Sequence, residues 1–308
     1  MQDQIPIVLC FDSKYAPYAA VATYSVFLNS QSAIKVYWIV PSVDFDNANA
    51  FKTKLRELGL DIYVLGADAD LFSEWEESQF ISRGTYLRLL IPELVGERRV
   101  IYFDCDTITL GDLGGLYETQ MGEYLVAGAF DPVGSSSSKM FREEGDIYIN
   151  CGVLLMDLEG LRNDKFFRKC EVIYRKYKES VTWLDQCIIN KYAENRKLIL
   201  ESKWNTQIFP NLITEDEWSE LISKGKAQIV HFLGPTKPWV EWCNPCISEF
   251  WWAYANKLNI ENLEPTKLNT SWQAKELSKV LKKNKRERRS IKRNLLKLIN
   301  NFKAKIRL

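Results

Sequence analysis

The 308-residue sequence contains one histidine, no long apolar run and almost no net charge, +1 in total. No stretch approaches the ~18 apolar residues of a membrane-spanning helix. The chain is therefore expected to be soluble or membrane-peripheral. Met1-Gln2-Asp3-Gln4-Ile5-Pro6 lacks a basic stretch followed by an apolar one, so no secretory signal is expected. Internal repeats are absent, and a composition of 46% apolar and 26% charged residues excludes wholesale disorder. Seven cysteines, an odd number, lie mostly within apolar stretches (Cys10, Cys105, Cys151, Cys170, Cys187). They read as buried reduced thiols in a cytoplasmic protein. Trp242-Cys243-Asn244-Pro245-Cys246 looks like a thioredoxin redox sequence, but it follows a Gly/Pro loop rather than the strand of a βαβ unit.

The small net charge conceals an asymmetry. Residues 275–308 hold fourteen Lys/Arg against two acids, a net of +12, and the preceding 274 residues hold 27 against 38, a net of −11. Within 281–308, Ile291, Leu295, Leu298, Ile299, Phe302 and Ile306 recur at spacings of three and four among basic residues. This reads as a basic amphipathic helix suited to an anionic membrane surface, with packing against the body as the alternative. Nothing accompanying the charge resembles a nucleic-acid recognition motif, so no nucleic-acid partner is expected.

In the body, short apolar runs alternate with helical patterns. Strands are expected at Ile5–Phe11, Ile34–Val40, Asp61–Leu65, Arg99–Phe103, Glu123–Phe130, Ile147–Asp157 and Gln228–Phe232. Helices are expected from about Tyr18 to Asn29 and at Asn47–Leu58, Gly84–Leu94, Leu158–Glu179 and Trp183–Ala193. Asp131–Asp146, with Gly134, four serines and Gly145, reads as a mobile surface loop. Such alternation implies a doubly wound, mainly parallel sheet, which binds ligands at the carboxyl ends of its strands.

Asp104-Cys105-Asp106 falls at such an end, after Val100-Ile101-Tyr102-Phe103. Carboxylates at i and i+2 beyond a buried strand can converge on one hard cation, Mn²⁺ or Mg²⁺. His231 ends another short strand, before Gly234-Pro235-Thr236-Lys237-Pro238. Its plain reading is a surface or satisfied core residue. With two carboxylates, however, imidazole makes a plausible Mn²⁺ set, and the loop's glycine and lysine suit phosphate oxygens. A rival, a phosphohydrolase of the haloacid dehalogenase type, places Asp-x-Asp near the N-terminus and wants Thr or Val where Ile108 stands.

Six segments occur in order: Ile7–Tyr15, Tyr86–Leu89, Tyr102–Asp106, Asn150–Leu158, Leu184–Gln186 and His231–Trp239. Together, within residues 5–257, they resemble family 8 of the glycosyltransferases, which includes bacterial lipopolysaccharide galactosyl- and glucosyltransferases and glycogenin. The resemblance implies one GT-A domain (1–260), a Rossmann-like doubly wound sheet flanked by helices, followed by a linker and basic helical tail (261–308). It also implies a UDP-hexose donor, Mn²⁺, retention of anomeric configuration and a glycan or glycolipid acceptor. Asp104, Asp106 and His231 would bind the metal, with Cys105 among the donor contacts. Asp12 and Tyr15 would hold the uracil and ribose end, unless Asp12 merely caps the following helix. Arg88 would reach the donor sugar or diphosphate, and Gly234 and Lys237 would grip the diphosphate. Asn150, Asp185 and Gln186 would line the sugar, with Asp185 or Gln186 facing the anomeric carbon. Lys14 and Cys151 depart from the usual Asn and Ala. Trp204, Trp218, Trp239 and Trp242 are sugar-stacking candidates. The implied setting is the inner face of the cell membrane; the alternative is an inactive nucleotide-sugar-binding protein.

Overall fold

A computed structural model describes residues 4–77, 83–140, 144–260 and 263–280. Its strands are β1 (Ile5–Cys10), β2 (Ile34–Pro41), β3 (Asp61–Ala67), β4 (Arg99–Phe103), β5 (Thr107–Thr109), β6 (Val126–Phe130), β7 (Ile149–Asp157), β8 (Leu198–Leu200), β9 (Thr206–Ile208) and β10 (Ile229–Phe232). Among the described residues, seven form a sheet in the order β3-β2-β1-β4-β7-β6-β8, and β5-β10-β9 form a smaller one. In the large sheet only β7 runs against the rest, pairing antiparallel with both β4 and β6. The expected α/β class with a mainly parallel sheet is the class observed.

Side-chain alternation along the strands builds an apolar layer on each face. Ile7 and Leu9 of β1 and Ile101 and Phe103 of β4 enter one layer, with Trp38, Phe232 and Trp251. Val8, Cys10, Val100 and Tyr102 enter the other, with Tyr86, Phe166 and Ile188. Each fully buried aliphatic or aromatic side chain contributes about 1.5–3 kcal/mol. The continuously apolar β1 is thus explained by burial on both faces.

Several expected elements differ in detail. The helix expected over Leu158–Glu179 is two, Leu158–Asn163 and Phe166–Tyr177, separated by Lys165 at φ 56°. Asp157 caps the first by accepting the Gly160 N–H. Gly84–Leu94 becomes a 3₁₀ stretch, Arg83–Leu90, followed by the short α-helix Ile91–Leu94. Pro92, which has no N–H, is tolerated only in the first turn of that α-helix. The expected loop Asp131–Asp146 opens instead with a helical turn, Pro132–Ser137, because Asp131 accepts the Gly134 N–H as its cap. Residues 263–280 lie against the body. Thr266 bridges Val240, and Val280, in a helix over 271–280, is buried. The basic amphipathic segment 281–308 lies outside the described residues.

Candidate functional site

At the carboxyl edge of the parallel strands opens a cavity of about 870 Å³. Asp12, Tyr15, Arg88, Asp104, Cys105, Asp106, Asn150, Asp185, Gln186, His231, Gly234 and Lys237 all line it. The twelve residues singled out from the sequence therefore share one site.

Asp104 and Asp106 leave the end of β4 in a turn closed by Thr107 Oγ1 donating to Asp104 O at 2.8 Å. The chain continues directly into β5, which pairs antiparallel with β10 so that Thr107 faces His231. This register swings the imidazole over the two carboxylates. His231 Nε2 lies 3.2 Å from Asp106 Oδ1 and 3.8 Å from Asp104 Oδ2. One oxygen or nitrogen from each of the three residues falls within 4.8 Å of the others. Gly152 makes room for the ring, since a Cβ there would stand 2.1 Å from His231 Cε1. Asp106 Oδ1 is buried and accepts no hydrogen bond. Its other oxygen accepts Lys237 Nζ at 2.6 Å. Burial works against the Asp106 carboxylate, but Lys237 and His231 outweigh it and hold the group well below the usual carboxylate range. Two hard oxygens, one imidazole and a buried oxygen without a donor fit a divalent cation of the Mn²⁺ or Mg²⁺ kind.

Arg88, buried beside this cluster, is a hub. Its guanidinium donates to Cys151 O at 2.7 Å, to Thr85 Oγ1 at 2.9 Å and to Asp104 Oδ1 at 2.9 Å, and lies over the Tyr102 ring. Its Nε is 2.6 Å from Asp185 Oδ2, yet that N–H points at Thr85 O. Asp185 Oδ2 therefore gains charge attraction without an aligned hydrogen bond. Thr85 Oγ1 donates to Asp185 Oδ1 at 2.7 Å. Burial prevails over Arg88, and Asp185 is pushed up to about 6. Asp185 follows Leu184, whose φ of 44° places a bulky residue in left-handed backbone, a strain of order 1–3 kcal/mol.

An amide network joins the two ends of the cavity. Asn150 donates to Asp131 Oδ2 (3.1 Å) and accepts from Gly152 N (2.9 Å) and Asn205 Nδ2 (2.9 Å). Gln186 donates to the same Asp131 oxygen at 3.0 Å and accepts Cys151 N–H at 2.9 Å. Asp131 and Asn205, both buried, were not singled out from the sequence. The signal for Asp131 was present, because it ends a strand of the parallel set as Asp104 does. Asn205 carried none beyond being an amide in a tryptophan-rich segment.

At the far side Asp12 accepts Lys14 N–H in a local turn, whereas the following helix takes Tyr15 as its cap residue without a side-chain bond. The helix-capping alternative for Asp12 is thus not the geometry seen. Burial pushes the Tyr15 phenol up. Gly234 adopts φ 78°, a conformation that favours glycine, at the bend leading to Lys237. The four tryptophan candidates are all buried, and of them only Trp239 and Trp242 line the cavity, with Trp239 stacked on Tyr18. All seven cysteines are free and buried. Burial pushes Cys246 up to about 12 and Cys243 also up, the reverse of a redox pair's activated thiolate.

Comparison with known proteins shows the family and the fold. The model of glycosyl transferase family 8 matches residues 6–243. General stress protein A of Bacillus subtilis (strain 168) is 26% identical over 249 residues, spanning 76% of this chain and 86% of that protein. The lipopolysaccharide 1,3-galactosyltransferase of Salmonella typhimurium (strain LT2) is 22% identical over 281 residues, 83% and 82% of the two chains. Among solved structures, the galactosyltransferase LgtC, in complex with donor and acceptor sugar analogs, superposes with a TM-score of 0.73 at 23% identity. The match covers 88% of this chain and all of that one. The likeness to LgtC establishes a common GT-A-like fold.

Proposed function

The chain belongs to glycosyl transferase family 8, and from that premise we propose that it moves a hexose, galactose or glucose, from a UDP-sugar to a glycan or glycolipid acceptor with retention of configuration. The observation that carries this reading is the Asp104–Asp106–His231 cluster set beside Lys237, Arg88 and Asp185 in one cavity. The galactosyltransferase named among the relatives supports a hexose donor.

Asp104, Asp106 and His231 would hold Mn²⁺, which when bound supplies positive charge to the departing diphosphate. Lys237, carried on the bend at Gly234, adds a second positive charge on the same side. Arg88 has its NH2 shared between Asp104 and Thr85 and its Nε beside Asp185, so it locks the metal end of the site to the sugar end. Asp12 and Tyr15 are assigned to the nucleoside, with Cys105 between the two carboxylates as a donor contact. Asn150, Asp131 and Gln186 form a fixed polar wall for the sugar hydroxyls. Both Asp185 oxygens are engaged by Arg88 and Thr85, and Gln186 Oε1 by a backbone N–H. Neither is presented as a free nucleophile. This supports attack by the acceptor on the face the diphosphate leaves, with a phosphate oxygen taking its proton. Among the described residues no helix is long and apolar enough to cross a membrane. The charge of +12 over 275–308 supports peripheral contact with an anionic inner membrane face.

The test is release of UDP from a panel of UDP-sugars with Mn²⁺, with and without glycan acceptors, using EDTA and Asp106→Ala as controls. Metal-dependent release from one donor, lost in both controls, supports the reading and names the sugar. Absence of both release and calorimetric UDP binding refutes it.

A further inference from the structure

The geometry points to Asn205 as a positioning residue that holds His231 in its Nδ1–H form and so turns the Nε2 lone pair towards the two carboxylates. The orientation of an amide and the tautomer of an imidazole are normally ambiguous. Here a chain of contacts anchored on a main-chain amide removes the ambiguity. Gly152 N can only donate, and it lies 2.9 Å from one terminal atom of Asn150, which must be the oxygen. The other terminal atom is then the nitrogen, as its 3.1 Å contact with the Asp131 carboxylate requires.

Asn205 presents one terminal atom 2.9 Å from the same Asn150 oxygen, so that atom is its NH₂. The oxygen of Asn205 therefore faces His231 Nδ1 at 3.1 Å, and the ring nitrogen must be the donor. In the neutral ring Nε2 is then the bare nitrogen, 3.2 Å from Asp106 Oδ1. Asn205 is 1% exposed, and Asn150, Asp131 and His231 are also buried. Beyond Asp131 the network reaches Gln186. Asn205 thus links the imidazole to the opposite wall of the cavity without itself lining it.

His231 is the sole histidine in the sequence, so imidazole nitrogen resonances need no assignment between rings. In uniformly ¹⁵N-labelled full-length protein at alkaline pH, two-bond proton–nitrogen spectra should show a pyrrole-type Nδ1 and a pyridine-type Nε2. An Nε2–H ring in the wild type overturns the proposal without recourse to any variant. Asn205→Leu should lose the bias and show the two forms mixed, whereas Asn205→Asp, which keeps an acceptor towards Nδ1, should retain it. The affinity arm rests on the metal reading proposed above. There Asn205→Leu should weaken Mn²⁺ binding, measured by calorimetry on the free metal, about 10–100-fold, the usual cost of removing an outer partner of a ligating histidine. Asn205→Asp should recover most of that loss. Unchanged tautomer and unchanged Mn²⁺ affinity in Asn205→Leu would overturn the assignment. An Nδ1–H ring in a protein that binds no Mn²⁺ would support Asn205's role while refuting the metal site.

Discussion

Asp185 offers a test in which the structure dictates both sign and size. The carboxyl is 3% exposed and is pushed from 3.8 to about 6, burial outweighing the attraction of Arg88. A group bound more tightly to its proton in the folded protein stabilises the fold when protonated. That contribution is fully present below about pH 4, is lost as pH rises through about 6, and stays lost above. At ~1.36 kcal/mol per pH unit, the displacement to about 6 is worth about 3 kcal/mol. Asp185→Asn keeps the side-chain shape and an oxygen for Thr85 but has nothing to titrate. It also removes one partner of Arg88, an offset that does not vary with pH because arginine remains charged. The slope of stability with pH, and not the absolute stability of the variant, therefore reports on Asp185. Urea unfolding of both proteins from about pH 4 to pH 7 should show the wild type losing about 3 kcal/mol relative to the variant across that interval. Parallel curves would refute the account, because they would mean that Asp185 is as easily ionised folded as unfolded.

Three further substitutions probe the metal cluster, the space around its histidine and a distant anchor. Asp106→Asn removes an anionic oxygen from the cluster and one side of the Lys237 contact. Calorimetry should show Mn²⁺ affinity reduced by more than the ~10–100-fold typical of outer-partner losses. Gly152→Ala puts a methyl 2.1 Å from His231 Cε1, so the ring must move. Stability should fall by about 1–3 kcal/mol in urea unfolding, with Mn²⁺ binding weakened far more than that loss alone implies. Lys197 and Asp146 form an ion pair at 2.5 Å with side chains 2% and 1% exposed, and burial draws the lysine's pKa down. Lys197→Met strands the carboxylate and should cost about 3–5 kcal/mol of unfolding free energy, read from the shift in urea midpoint.

The long buried strands and their connecting helices were legible in the sequence because an uninterrupted apolar run has few other uses at six to nine residues. Ile5–Cys10 and Ile149–Asp157 are of this kind. The strands that escaped reading are those with too few residues to carry a period: Thr107–Thr109, Leu198–Leu200 and Thr206–Ile208. Two longer helices escaped as well: Glu215–Ser223, despite a full capping box between Thr214 and Glu217, and the fourteen-residue Pro245–Leu258. Breaks inside helices were invisible too. Nothing in Asn163-Asp164-Lys165 requires Lys165 to turn left-handed, and the break becomes intelligible only once both helices pack. Site residues were legible where an ionisable group ended an apolar strand, as at Asp104 and His231. Asn205 was not, because its partners lie 55 and 26 residues away.

One of the three-residue strands that escaped reading is the element on which the site depends. An Asp-x-Asp after a buried strand and a histidine 125 residues later are unremarkable separately, and apolar periodicity cannot bring them together. Three residues do so. β5 begins immediately after Asp106 and pairs with β10 in a register that sets Thr107 opposite His231, so the imidazole must stand over the carboxylates that precede Thr107. The reversal of β7 completes the arrangement. Because that strand runs against its neighbours, its first residues, and not its last, reach the carboxyl edge of the others. Asn150 and Gly152 arrive there together, with Gly152 O accepting the Asp104 N–H at 2.8 Å and its missing side chain leaving room for the ring. A second parallel strand in that position would present the opposite end of its sequence, and neither the amide network nor the space for His231 would exist. The carboxylates, the histidine and the amide wall are thus held by two pairings, one three residues long and one reversed.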